Sequence, residues 1–280
     1  DGQMKTIQVQ YKDQVLDVVI DSQSSKDLLE HVSKYFHQKP SRSRLQILTQ
    51  NAEQKIYIHT ADPLQKQLKN YDTLVLKSIG IQVNYKQVFI VEYLGPLLLW
   101  LLLSKNLHSI SSVAWIFHYA KRIFETLAVH KFSNETMPLK NLFRNSVYYW
   151  GFAAWNALTA DTQALSSQQF KKQAAFLAVF GGCELMNLYC HLVLSNLRPA
   201  GSRAYANPQQ FCFKTVSCPN YGFEVASWVA FAAFNMTVSA WLFAACGFIQ
   251  INQWAEQKRL RYKKLFGEEG KKRWKICVGW

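Results

Sequence analysis

The chain has 280 residues, of which 49% are hydrophobic and 14% aromatic, and it carries a formal net charge of +14. This composition is too apolar for a disordered protein, and the length allows more than one folding unit. The mean hydropathy of −0.10 averages a polar first third and a later part in which apolar stretches dominate. We therefore expect the two parts of the chain to face different solvents.

A cluster of Lys and Arg residues lies near the end of the sequence. It occupies residues 256–275, EQKRLRYKKLFGEEGKKRWK, directly after the last apolar stretch. Positive charge beside an apolar segment is typical of the cytosolic side of a membrane protein. Basic surfaces also bind nucleic acid, but no recognition motif accompanies this charge, and we expect no nucleic-acid partner.

The sequence does not open with a basic region followed by an apolar one, the pattern of a signal peptide, so we expect membrane insertion through internal segments.

The six Cys residues give no indication of a metal site. None of their spacings is that of two C-x-x-C elements or another zinc-binding pattern. We expect reduced thiols that pack as small apolar groups, and no bound metal.

The first 80 residues predict a small α+β domain. Two alternating stretches joined by Lys12-Asp13-Gln14 are typical of a β-hairpin, and an amphipathic helix follows behind a Ser24 or Ser25 cap. The predicted elements are strands at 5–11 and 15–21, a helix at 24–38, strands at 43–50 and 55–60, a short helical turn at 63–71, and a strand at 72–80. This order resembles the ubiquitin-like β-grasp fold, and we assign residues 1–80 to such a domain, with no residues arranged for chemistry.

Residues 81–280 predict a multi-pass α-helical membrane domain that ends in the basic tail. Residues 88–103 contain a single charged residue, Glu92. A membrane span needs about 20 apolar residues, and residues 224–251 are long enough for one tilted span or two short ones. Five or six membrane helices are expected, at 88–103, 113–129, 147–158, 174–194 and 224–251.

Several of these apolar segments contain polar groups that a lipid-facing helix would avoid, which indicates an internal, hydrated cavity. They are Glu92, His118, Lys121, Arg122, Glu125, Glu184, Asn187 and His191. Asn187 and His191 are four residues apart and share one helix face, and Arg198 lies seven residues further on. Such a stripe of donors would suit a phosphate. The alternative, for Lys121 and its neighbours alone, is that long side chains near helix ends extend to the membrane interface.

Five longer motifs occur in order along the chain: VEYLGPLLL, FHYAKRIFETLAVHKFSNETMPLKNLFRN, YYWGFAAW, HLVLSNLRPAGSR and VSCPNYGFEVASW. Together they resemble the trans-2-enoyl-CoA reductases of very-long-chain fatty acid elongation, a branch of the steroid 5-alpha-reductase family. The resemblance covers most of the chain. It implies an enzyme of the endoplasmic-reticulum membrane that uses NADPH to reduce the 2,3 double bond of a very-long-chain trans-2-enoyl-CoA, which is the last step of each elongation cycle.

The resemblance also implies the residues of the active site. Glu92 and Tyr119 match a Glu and a Tyr that act as a pair at the substrate carbonyl in the steroid reductases. Tyr221 matches a Tyr that the enoyl reductases require in the CPNY turn. The positions that match the cofactor pocket are Asn187, His191, Arg198, Asn220, Glu224, Lys258 and Tyr262, with Arg122 as a further candidate.

The partners that follow from the resemblance are a long-chain acyl-CoA, membrane lipid and other fatty-acid elongation enzymes, with both chain termini in the cytosol. Two alternatives stay open. One is a steroid or polyprenol double-bond reductase of the same fold, and the other is a non-catalytic membrane adaptor that uses the ubiquitin-like domain. Either Tyr119 or Tyr221 could deliver the proton. Without the other motifs, Tyr221 would be read as an aromatic residue of the membrane interface.

Overall fold

The computed structural model describes residues 5–20, 24–47, 56–58, 68, 73–132, 135–160, 167–197, 206–268 and 274–276. The chain forms two compact units. The first contains Asp1–Val83 and Thr136–Lys140, and the second contains Asn84–Glu135 and Asn141–Trp280.

A five-stranded sheet and one helix form the core of the first unit. The strands are β1 (Lys5–Tyr11), β2 (Gln14–Ile20), β3 (Ser43–Ile47), β4 (Ile56–Tyr57) and β5 (Thr73–Ser78). Their order in the sheet is β2-β1-β5-β3-β4. The central pair, β1 and β5, is parallel, whereas β1–β2, β3–β5 and β3–β4 are antiparallel. A two-stranded sheet of β6 (Gln82–Asn84) and β7 (Thr136–Pro138) completes the described strands.

Helix α1 (Ser25–Tyr35) closes the core of this unit. Leu28 and Val32 on α1 are fully buried in one apolar cluster with Ile7 and Leu74 of the sheet. The Ser24 side chain caps the helix by accepting a hydrogen bond from the Asp27 backbone N–H at 3.2 Å. The hairpin, the helix and its cap thus lie where the sequence predicted them. The helical turn predicted at 63–71 lies outside the described residues, apart from Leu68, which is buried.

Helices make up most of the second unit. They are α2 (Tyr85–Leu103), α3 (Ile110–Phe124), α4 (Leu139–Thr159), α5 (Ser167–Asn196), α6 (Pro219–Asn235) and α7 (Val238–Phe266). A π-helical turn, Glu125–Val129, continues α3, and a 3₁₀ turn, Phe211–Lys214, precedes α6.

The long apolar stretch at 224–251 is divided between two helices. Helix α6 ends at Asn235, and Met236 adopts a left-handed conformation with φ of 54°. Thr237 then caps α7 by accepting from the Ala240 backbone N–H. The Asn235 amide donates to the Phe231 carbonyl and accepts from Ser111 Oγ at 2.6 Å, so it is hydrogen-bonded at the break.

Two of the described helices are long and apolar enough to cross a membrane. They are α2 and the Ala174–Asn196 part of α5, each with a mean hydropathy of 1.5. Large apolar side chains on several helices point away from the protein, including Leu102 (78% exposed) and Val147 (75% exposed). Extended apolar surface of this kind is typical of a face that contacts lipid or another protein. These features indicate a membrane protein, and the number of spans remains a prediction.

Candidate active site

A pocket of about 230 Å³ opens among the helices of the second unit. Its wall combines cationic side chains, imidazoles and aromatic rings. The lining includes Arg122, Lys131, Lys258, His130, His191, Phe89, Phe132, Tyr221, Tyr262 and Asn220. A cavity with this lining suits a ligand that has both anionic groups and flat rings.

Six of the side chains predicted from the sequence line this pocket. They come from α3, α5, α6 and α7, and they are Arg122, His191, Asn220, Tyr221, Lys258 and Tyr262. Residues separated by up to 140 positions in the chain thus surround one cavity. Arg198, which was predicted to bind the cofactor, lies outside the described residues.

Tyr221 stands in the first turn of α6. Pro219 occupies the start of the helix, where its missing N–H has no intrahelical partner to lose. The Lys258 ammonium lies 5.9 Å from the centre of the Tyr221 ring and 5.8 Å from that of Tyr262. Attraction between a cation and an aromatic face operates at these distances, so Lys258 is held between two rings of the pocket wall.

Arg122 is fixed from two sides. Its Nη1 donates to Glu125 Oε2 at 2.9 Å, and its Nη2 donates to the Tyr93 hydroxyl at 2.7 Å. The guanidinium also lies over the Tyr93 ring, 4.9 Å from its centre. Because arginine stays protonated in proteins, Arg122 places a permanent positive charge at the pocket.

A buried network of charged side chains lies between α3, α5 and α6. Lys121 Nζ lies 2.9 Å from Glu184 Oε2 and donates to Asn187 Oδ1 at 2.7 Å. The His118 ring contacts Glu184 through Nδ1 at 2.9 Å and Glu224 through Nε2 at 3.5 Å. Since a buried charge without a partner costs several kcal/mol, the members of this network depend on one another.

Asn187 and Glu224 act on the pocket through Asn220. The Asn187 amide donates to the Asn220 carbonyl at 2.9 Å and to Glu224 Oε2 at 3.1 Å. Neither side chain lines the pocket itself. Two of the predicted cofactor residues therefore support the start of α6 from behind.

Glu92 and Tyr119 are both buried, at 4% and 1% exposure. Glu92 Oε1 accepts a hydrogen bond from the Asn145 amide at 2.8 Å. The Tyr119 hydroxyl has no hydrogen-bond partner in the described part of the chain, and its ring lies 6.3 Å from that of Tyr93. Neither residue lines the pocket, and Tyr93 contacts both the Tyr119 ring and Arg122.

Among the described residues, one group of side chains has the composition of a metal site. The ligand atoms of Glu125, His130 and His191 lie within 4.8 Å of one another. Glu125 is already paired with Arg122, and Arg122 Nη1 lies 3.4 Å from His191 Nδ1. Burial lowers the pKa of His130 to about 3, so this imidazole is neutral. The permanent cation beside these ligands favours an ion-paired cluster over a metal ion.

Some residues of the site were expected to face a cavity but received no specific role from the sequence. His118 and Lys121 of α3 and Glu125 at the start of the π-helical turn belong to this group, and they are buried in the ion-paired network. His130, Lys131 and Phe132 line the pocket from the segment after the π-helical turn. This segment lies within the second of the five motifs, but neither its composition nor its spacing indicated a role in the pocket.

Comparison with known proteins identifies the family. Residues 135–279 match the family described as 3-oxo-5-alpha-steroid 4-dehydrogenase, which is more than half of the chain. The very-long-chain enoyl-CoA reductase of Dictyostelium discoideum is 36% identical over 231 residues, covering 78% of this chain and 77% of that protein. The chain belongs to this steroid dehydrogenase family.

Further relatives extend over similar parts of the chain. A probable very-long-chain enoyl-CoA reductase of Caenorhabditis elegans is 38% identical over 224 residues, covering 71% of this chain and 73% of that protein. A trans-2,3-enoyl-CoA reductase-like protein of Mus musculus is 29% identical over 277 residues, covering 89% and 76%. The resemblance stated from the motifs is thus confirmed. All the predicted site residues except Glu92, Tyr119 and Arg122 lie within the part of the chain that matches the family.

Proposed function

We propose that this member of the steroid dehydrogenase family is an NADPH-dependent reductase that acts on the 2,3 double bond of very-long-chain trans-2-enoyl-CoA. This reaction is the last step of a fatty acid elongation cycle. The observation that carries the proposal is the basic and aromatic pocket that contains Tyr221. The names of the relatives, very-long-chain enoyl-CoA reductases, support this choice of substrate.

The residues of the pocket fit a dinucleotide. Buried polar atoms on three lining residues have no hydrogen-bond partner among the described residues: Arg122 Nε, His130 Nδ1 and Asn220 Oδ1. Buried polar atoms are nearly always paired, so these atoms are available to a ligand. Arg122 and Lys258 would bind phosphate groups, and the Asn220 Oδ1 would accept from a donor on the cofactor. Tyr262 and His191 would complete the wall, and Arg198 remains a predicted contributor.

Reduction of a conjugated thioester needs a hydride at the β-carbon, stabilisation of the negative charge that develops on the carbonyl oxygen, and a proton at the α-carbon. NADPH, when bound, supplies the hydride. The helices hold the reactants together and exclude water, which can account for a large part of the rate enhancement. A phenol has a reference pKa of about 10, so Tyr221 is protonated at neutral pH and can donate to the developing oxyanion.

The finer description of the fold is part of the same proposal. The sheet order β2-β1-β5-β3-β4 with a single helix supports a ubiquitin-like first domain, residues 1–80, followed by a catalytic domain at 81–280. The two apolar helices, the exposed apolar side chains and the basic tail support a multi-pass protein. We place it in the endoplasmic-reticulum membrane with both termini cytosolic and with other fatty-acid elongation enzymes as partners.

A second candidate is favoured by the description of the matching family, which names a steroid substrate. In that case the same pocket would serve reduction of a steroid or polyprenol double bond. The two candidates share the hydride source and differ in the acceptor.

The experiment that tests the proposal uses the full chain purified in detergent with NADPH. A long-chain trans-2-enoyl-CoA, a 3-oxo-4-ene steroid and a polyprenol with an α-unsaturation are offered separately, and the loss of nicotinamide absorbance is followed. We expect oxidation of NADPH with the acyl-CoA. Oxidation with the steroid or the polyprenol alone would favour the second candidate, and no oxidation by folded protein that binds NADPH would contradict both.

A further inference from the structure

A short segment near the end of the chain pairs with the turn that precedes Tyr221. The Trp274 backbone N–H donates to the Thr215 carbonyl at 3.2 Å. In return, the Ser217 N–H donates to the Trp274 carbonyl at 3.0 Å, and the Cys218 N–H donates to the Lys275 carbonyl at 2.9 Å. Trp274 and Val216 form a parallel β-bridge. We call residues 274–276 the C-terminal strap.

The strap is also anchored by apolar packing. Ile276 is 4% exposed and lies in one buried cluster with Cys218 and Ala255, which are fully buried. Tyr221 and Phe248 are partly buried against the same cluster. The strap therefore joins the turn at 215–218 to α7, the helix that carries Lys258.

The start of α6 depends on these contacts because it has no side-chain cap. Cys218 is the N-cap residue, and its side chain makes no capping hydrogen bond. In contrast, α1, α2, α3 and α7 each have an N-cap residue whose side chain accepts a hydrogen bond from a backbone N–H of the first turn. These residues are Ser24, Asn84, Ser109 and Thr237. A side-chain cap normally fixes the entry of the chain into a helix. At α6, the strap accepts instead from the N–H groups of Ser217 and Cys218, which precede the first turn, and in this way fixes how the chain enters the helix.

The link from the strap to Tyr221 is short. The Cys218 carbonyl accepts from the Tyr221 N–H at 3.0 Å, while the Cys218 N–H donates to the strap. Cys218 is thus hydrogen-bonded both to the strap and to Tyr221. The strap does not line the pocket, and the cations Arg122 and Lys258 belong to α3 and α7.

We propose that the C-terminal strap is a positioning element, which acts through Cys218 to aim the Tyr221 hydroxyl into the pocket. Ile276 is its anchoring residue. The inference rests on the proposed function, because it assumes that Tyr221 donates to the substrate. It adds that a segment outside the pocket sets the geometry of this donor, and it assigns that role to residues that the family resemblance leaves without one.

The test compares Ile276→Ala and Ile276→Val in the full chain, with Leu260→Ala as the control. Leu260 is a 53% exposed apolar residue of α7 and does not belong to the cluster that anchors Ile276, so its truncation removes a similar side chain at a different place. We expect Ile276→Ala to lower kcat for enoyl-CoA reduction about tenfold or more, since small misplacement of a catalytic group carries a large cost in rate. The Kd for NADPH should change less than kcat, because Arg122 and Lys258 stand on α3 and α7 and not on the turn that the strap holds. Ile276→Val should recover most of kcat.

Hydrogen exchange provides a readout that does not depend on activity. In Ile276→Ala, the amides of Ser217, Cys218 and Tyr221 should exchange faster, while those of α3 and α5 stay protected. If the wild-type chain does not reduce enoyl-CoA, the proposed function fails, and this exchange pattern still decides whether the strap holds Tyr221.

Three outcomes would overturn the inference. The first is unchanged kcat in Ile276→Ala. The second is an equal loss of kcat and NADPH affinity together with faster exchange throughout α3 and α5, which would make Ile276 a general stability residue. The third is unchanged exchange at Cys218 and Tyr221.

Discussion

Tyr221 is the residue whose chemistry is most open to a direct test. Its phenol is the proposed donor to the substrate oxygen, and Lys258 lies beside its ring. Tyr221→Phe keeps the ring and removes the hydroxyl, so we expect kcat for enoyl-CoA reduction to fall by about 10²-fold or more, which is typical for loss of an acid catalyst. The affinity for NADPH should not change. Tyr35→Phe is the matched control, since Tyr35 is 55% exposed and belongs to the first unit. Full activity of Tyr221→Phe would exclude this role.

Lys258 is expected to recognise a phosphate of the cofactor. Lys258→Gln removes the charge, and hydrogen bonds to charged groups contribute about 1.5–3 kcal/mol. We expect NADPH to bind about tenfold or more weakly, and the preference of the wild type for NADPH over NADH to decrease as salt is added. Binding titrations with both nucleotides measure these effects. Lys264→Gln, an exposed residue of the same helix, should have no effect. Equal affinity of the wild type for both nucleotides would contradict the assignment.

Glu184 is expected to matter for stability, because it neutralises Lys121 inside the protein. Glu184→Gln leaves the Lys121 ammonium with one counter-ion fewer, and breaking a buried pair costs about 3–5 kcal/mol. A clear drop in thermal stability in detergent should follow. The control is Glu256→Gln, which breaks the pair with Arg259, whose two side chains are about one-third exposed, a change of at most about 1 kcal/mol. Equal stability of the two variants would contradict the interdependence of the buried network.

At the scale of elements, Gly95 allows α2 to approach α4. A Cβ atom at this position would overlap the Trp150 indole, whose Nε1 donates to the Val91 carbonyl at 3.2 Å. Gly95→Ala should therefore destabilise the protein by about 1–3 kcal/mol, which is the usual cost of overpacking. Gly151→Ala is the control, because space around that residue of α4 is open. Thermal unfolding measures both, and a Gly95→Ala variant as stable as Gly151→Ala would show that Trp150 can move aside.

Elements with a strong periodic pattern were predictable, and those that depend on one unusual backbone position were not. The alternating strands and the Ser24 cap of α1 carry their own local signal. The break between α6 and α7 occurs at Met236, a residue with no intrinsic preference for a left-handed conformation. The sequence therefore could not decide between one tilted span and two short ones. The π-helical turn at Glu125–Val129 also has no pattern of its own, because it is one turn long.

The C-terminal strap illustrates a different limit. Trp274 and Ile276 stand in a short stretch without alternation, and their partners lie almost 60 residues earlier in the chain. Such pairing is decided by tertiary contact. Sequence patterns therefore gave no indication that this segment touches the turn before Tyr221.

At the scale of the molecule, the motifs named a set of candidate site residues but not how these residues connect. Six of them line one pocket, as a shared function requires. The direct partner of Glu92 is Asn145, however, and the residue between Tyr119 and Arg122 is Tyr93. Neither contact follows from spacing, because each joins different helices. Polar residues in apolar segments, such as Glu92 and Glu184, are buried, as their position led us to expect, while their pairing depends on how the helices pack.

The most direct test of the central claim follows hydrogen from NADPH to product. The full chain is incubated with a long-chain trans-2-enoyl-CoA and with NADPH that carries deuterium at the transferred position of the nicotinamide, and the acyl chain is analysed by mass spectrometry. We expect a saturated acyl-CoA with one deuterium at the β-carbon and a proton from solvent at the α-carbon. Recovery of unlabelled and unsaturated substrate, with folded protein that still binds NADPH, would contradict the account.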